Sequence, residues 1–108
     1  MPDSTSRIVD NTLVVRASMP PGTIAIGAVQ SGRVQTVIRG NNVIQEAVDE
    51  PLPIAVEGAV LPRSGRPEFV IADNRVGRIL DRSEPGSAKV EVSGNTNARG
   101  ELVPVERP

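Results

Sequence analysis

Apolar and polar residues alternate along this chain in short runs, cut every few residues by glycine or proline. The longest run, PLPIAVEGAVLP over 51–62, puts Ile54, Val56 and Val60 on one face and Ala55, Glu57 and Ala59 on the other. A period of two is the signature of a strand. Prolines close the run at both ends, where a missing amide donor does least harm to a ladder. Gly58 leaves a gap on the apolar face, which predicts a bulge or a close approach by a neighbouring strand. This stretch is read as the central strand.

Other strands are predicted on both sides. In RIVDNTLVVRA (7–17), Asp10-Asn11 makes a turn or bulge between two short β segments, and Met19-Pro20-Pro21-Gly22 is a break. TIAIGAVQ (23–30) and RVQTVIR (33–39) read as a hairpin across Ser31-Gly32. VIQEAV (43–48) is short and is assigned to strand or irregular structure. EFVIA (68–72), RVGRILDR (75–82), AKVEVS (88–93) and ELVPV (101–105) follow, the last demoted to an edge by Pro104. No internal repeat stands out. Residues 1–7 hold nothing to bury ahead of Ile8 and read as a flexible arm before one domain over 8–108. The predicted fold is all-β: a small barrel or sandwich of about seven to nine short, mainly antiparallel strands.

Composition sharpens that picture. Of 108 residues, 24 are Val or Ile, five are Leu and one, Phe69, is aromatic, which favours pleated sheet over helix. Twelve basic residues against 13 acidic ones leave no field to draw in nucleic acid or an anionic membrane. The chain has no Cys and no His, which removes disulfides, thiolate metal sites and the commonest general base. Asp49 and Glu50 are neighbours that would face opposite sides of a strand. Asp73 and Asp81 have no assignable partner, and the Gly94–Asn97 loop offers no carboxylate for Ca²⁺. An enzyme is not expected, nor is a cofactor or a metal.

Two stretches carry a family resemblance. PLPIAVEGAVLPRSG (51–65) resembles a strand of the small head-decoration, or capsid cement, proteins of tailed phages. VGRIL, a short acidic and Gly-containing turn, and AKVEV (within 74–92) are similar to the closing strands of that family, with the GAVQSGRV segment in the matching place before them. The aromatic pair expected after the central strand is missing here. The resemblance implies a structural virion protein that is made in the host cytoplasm. It would bind the major capsid protein on the outside of the head and stabilise that lattice.

A thin core with more apolar strand surface than one small barrel can hide adds an expected homotrimer. Arg7 and Ile8 at the end of the arm, Val37 on the outward face of its strand, and Arg63 and Arg66 in the loop after the central strand are the candidate partner-binding residues. The reading from another class is a small β-barrel module for a ligand or nucleic acid.

Overall fold

A computed structural model describes residues 4–46 and 50–107. Ten strands follow in order: β1 (Ser4–Val9), β2 (Thr12–Val15), β3 (Ile26–Ser31), β4 (Val34–Arg39), β5 (Asn42–Gln45), β6 (Pro53–Ala59), β7 (Glu68–Ala72), β8 (Arg78–Asp81), β9 (Lys89–Ser93) and β10 (Val105–Glu106). They stack as β1-β4-β7-β9 in a first sheet, β2-β5 in a second and β3-β6-β8-β10 in a third. Every strand pairing is parallel. The chain therefore winds as a solenoid of four coils, each visiting the three sheets in turn. In the third and fourth coils, parallel bridges from Asn42 to Arg75 and from Arg75 to Thr96 continue the second sheet.

This overturns the expected barrel or sandwich of mainly antiparallel strands. The all-β character holds, but the Ser31-Gly32 turn closes no hairpin: β3 pairs with β6 in the third sheet, and β4 lies between β1 and β7 in the first. Parallel sheets are usually covered on both faces and read as continuous apolar runs. Here strands such as β3 and β9 show one face to water, so the alternation looks like that of an antiparallel meander, while β6 is buried on both faces over Pro53–Val56. The predicted central strand is β6, flanked by β3 and β8. Ser4–Arg7, placed in the arm on sequence grounds, belong to β1, while residues 1–3 of that arm lie outside the described residues.

One corner sets the coil. The chain leaves the first sheet through Asp10, Gly40, Asp73 or Gly94, all with φ between 54° and 67°. Gly adopts this left-handed conformation freely, and Asp is among the few other residues that tolerate it. Asp and Gly alternate down the stack because a side chain at Gly40 would strike Asp10, and one at Gly94 would strike Asp73. An asparagine follows each: Asn11, Asn41, Asn74 and Asn95, which step by 30, 33 and 21 residues. Their side chains form a ladder. Asn11 Nδ2 donates to Asn41 Oδ1 at 3.0 Å, Asn41 Nδ2 to Asn74 Oδ1 at 2.9 Å, and Asn74 Nδ2 to Asn95 Oδ1 at 2.9 Å. The backbone amides of Asn11, Asn41 and Asn74 donate to the same acceptors. Nδ2 of Asn41, Asn74 and Asn95 also reaches the carbonyls of Ile8, Ile38 and Ile71 one coil earlier. Asn41, Asn74 and Asn95 can be almost fully buried because the ladder satisfies the amides.

Inside the coils, Ile38, Ile54, Val56, Phe69, Ile71, Val76, Ile79 and Val103 form the core. Gly58 faces this interior, where an added Cβ would come within 2.5 Å of Pro67 and 2.7 Å of Ala88. The crowding at Gly58 therefore comes from residues across the core that precede β7 and β9, and not from a bulge or from the flanking strands β3 and β8.

Candidate interaction surface

The two ends of the solenoid are finished differently. At the last coil, Leu102 bridges back antiparallel to Thr96, and the amide of Val103 donates to the carbonyl of Asn95 at 2.9 Å. That carbonyl holds the place which, in earlier coils, receives the amide of the next one, as the carbonyl of Asn11 accepts from the amide of Asn42. Asn97 fixes the returning turn, its Oδ1 accepting from the amides of Arg99 and Glu101. The segment 97–103 is therefore a cap over the ladder, and it leaves Asn95 only 2% exposed.

The first coil has no such cap among the described residues. The amide of Asp10 donates to Arg39, and the carbonyl of Ile8 accepts from Asn41, so these groups point into the stack. By strand alternation, the amides and carbonyls of Thr5, Arg7 and Val9 point out of its open end. The layer of inward side chains is open as well. Ile8 and Ile26 are only partly buried against the core, and Leu13, in register with the inward-facing Val43, is 37% exposed. Val9 and Val14 add exposed apolar surface beside it. Asn11 donates one hydrogen of its side-chain amide to Asn41; its other amide hydrogen and Oδ1 lie at the open end of the ladder. A solenoid buries its core by stacking, and a terminal coil without a polar cap leaves one unfilled position.

The sequence-predicted contact residues fall in two places. Arg7 and Val37 are register partners on the outer face of the first sheet, and Ile8 is the inward neighbour of Arg7 on the open strand. Val37 does point away from the interior side of Thr36 and Ile38. Arg63 and Arg66 stand on the 60–67 loop between the second and third coils, Arg63 with φ 68°. They belong to a different part of the surface. Asn11 and Leu13 were not singled out by sequence. The signal for them is the tetrad Ile8-Val9-Asp10-Asn11, which returns as Ile38-Arg39-Gly40-Asn41, Ile71-Ala72-Asp73-Asn74 and Val92-Ser93-Gly94-Asn95.

The rest of the surface offers little chemistry. A depression of about 250 Å³ lies beside the third sheet, lined by Met19, Pro21, Leu52, Arg78, Leu80 and Arg82. Arg78 is held there in two hydrogen bonds of 3.0 Å to the Glu106 carboxylate. That contact raises the Arg78 pKa further and lowers that of Glu106 below the usual carboxylate range. Asp81, a buried carboxylate, accepts from the amide of Ser83 and faces Arg107 at 3.4 Å, a structural arrangement at a strand end. Among the described residues no group of three His, Cys, Asp or Glu side chains is placed to hold a metal. Among them, too, no helix is long and apolar enough to cross a membrane. Comparison with known protein families, with curated proteins and with solved structures gives no match for this chain.

Proposed function

We propose that this chain is a structural interaction module that docks on protein through the open end of its first coil. The contrast between the ladder's last rung, capped by 97–103, and its first, uncapped among the described residues, carries this reading. An edge that presents unpaired amides beside apolar side chains is a template for strand addition, and native proteins ordinarily shield such edges. The resemblance of 51–65 and 74–92 to capsid cement proteins supplies the setting. The protein would sit on the outside of a phage head and lend its free edge to the major capsid protein. Many copies, each held by a modest interface, would then reinforce the lattice together.

Co-sedimentation with expanded phage heads stripped of their decoration protein tests this reading. The wild-type chain should pellet with the heads, and Arg7→Pro, which removes one outward-pointing amide from β1, should stay in the supernatant. Equal pelleting of both proteins, or of neither, would overturn it.

A further inference from the structure

We propose that, away from any shell, the open end is covered by a second copy of this chain, the two meeting first coil to first coil about a two-fold axis. The proposal rests on the reading of the first coil as the docking edge, and it names the occupant. Three observations favour a second copy.

The first is that, among the described residues, the ladder is free at the first coil and occupied at the last. Head-to-tail stacking would require a further β2 to stand where Leu102 already bridges Thr96, and a further amide to reach the carbonyl that Val103 has taken. An open filament is thus blocked. An isologous pair uses the first coil of each copy and asks nothing of the last.

The second is that β1 can pair with itself without conflict. Its outward side chains are Thr5, Arg7 and Val9, and its inward ones Ser4, Ser6 and Ile8, as the register with β4 shows. An antiparallel pair centred on Ser6 keeps inward residues opposite inward ones. It sets Arg7 against Thr5 and Ile8 against Ser4. Centring on Arg7 would instead oppose two like charges, which is destabilising. In the Ser6 register the outward amides and carbonyls of Thr5 and Arg7 form the hydrogen-bonded pairs, and Ser6 meets Ser6 in the close, non-hydrogen-bonded position. The half-turn also lays Leu13 of one copy over the Ile26 side of the other, apolar on apolar. A net charge of −1 adds almost no repulsion between copies.

The third is size. The molecule measures 45 × 25 × 20 Å, and four coils about 4.8 Å apart make the stack its shortest direction, so an end face spans roughly 45 × 25 Å. A pair that overlaps over half of that face buries roughly 1,000 Å², the lower limit for a specific interface. The paired strands meet at Ser6 with no aromatic anchor, so the dimer is weak, forming at tens of micromolar rather than nanomolar concentration.

Sedimentation equilibrium from 2 to 500 μM, with the wild type, Arg7→Pro and Ser6→Cys, tests the pairing. The wild type should pass from 11.4 kDa to about twice that mass. Arg7→Pro should remain a monomer with an unchanged far-UV spectrum. In a chain without cysteine, Ser6→Cys should oxidise to a disulfide-linked dimer, because directly opposed Cα atoms in the close pair lie within disulfide reach. Val29→Cys, on the outer face of the third sheet and 74% exposed, is the control that should not cross-link at the same rate. A wild-type monomer at 500 μM, a trimer, an open-ended series, or equal cross-linking of the two cysteine variants would overturn the proposal. If the wild type stays monomeric while Arg7→Pro still abolishes binding to heads, the docking edge stands and only its self-pairing falls.

Discussion

Replacing Asn74 with alanine tests the ladder where it is most enclosed. The side chain is 1% exposed and takes part in four hydrogen bonds. Oδ1 accepts from the amide and Nδ2 of Asn41 at 3.0 and 2.9 Å, and Nδ2 donates to Ile38 O and Asn95 Oδ1 at 2.9 Å each. At about 1 kcal/mol per bond, with a further penalty for stranding the Asn41 amide and the Ile38 carbonyl in the interior, Asn74→Ala should cost about 4 kcal/mol or more. Against a total stability of roughly 5–15 kcal/mol, that is a large part of the whole. It should lower Tm by roughly 15–30 °C. Asn11→Ala is the internal control. It loses only the exposed Nδ2 bond to Asn41 and should cost no more than about 1 kcal/mol. Urea unfolding followed by far-UV circular dichroism suits a chain with no Trp or Tyr. Costs for the two variants within about 1 kcal/mol of each other would refute the ladder as a stabilising spine.

Three further outcomes follow from the packing. Gly58→Ala should destabilise by about 2–3 kcal/mol in the same urea assay, since its Cβ would meet Pro67 and Ala88 at 2.5 and 2.7 Å. Val56→Asp places a charge on a core position that is 1% exposed and should unfold the chain. Val37→Asp, on the outer face beside Arg7, should leave the circular dichroism spectrum and Tm within a few degrees of wild type. Glu106 is held below its ordinary pKa by Arg78, so its contribution is present above the unfolded carboxylate range and lost as pH falls through the lowered value. The pair is 36% and 46% exposed, so acidification should loosen β10 from β8 only slightly. Amide exchange at Val105 should show this in the wild type and not in Glu106→Gln.

Strand positions were legible in the sequence because a period of two survives whatever the partner strand. EFVIA at 68–72 is β7, and Ile54 and Val56 lie on the inner face of β6, while Val60, expected on the same face, falls past the end of the strand and is half exposed. Strand direction was not legible. A two-residue Gly turn such as Ser31-Gly32 serves a hairpin or a corner between sheets, and nothing local distinguishes them. The distinguishing signal was long-range: four tetrads of Ile or Val, any residue, Asp or Gly, then Asn. Their unequal spacing of 30, 33 and 21 residues hides them from a search for a fixed period. Once aligned, the tetrads show why Asp10-Asn11 and Asp73-Asn74, which look like ordinary turns, are rungs of one ladder. Of the candidate contact residues, Arg7 and Ile8 fall on the open strand, because an arm with little to bury and an uncapped edge strand look alike in sequence. Arg63 and Arg66 carry charge on an exposed loop, and the fold sets that loop between the second and third coils, apart from the open strand.

Amide hydrogen exchange, resolved by residue at 10 and 500 μM, tests most directly that the ladder is open at its first coil and capped at its last. The amide of Val103, bonded to Asn95 in the cap, should be protected equally at both concentrations. The amides of Thr5 and Arg7 should exchange nearly as in an unfolded chain when dilute, and slow together as the concentration rises. Protection of Thr5 and Arg7 that matches Val103 in dilute solution, or a Val103 amide that exchanges freely, would contradict the account.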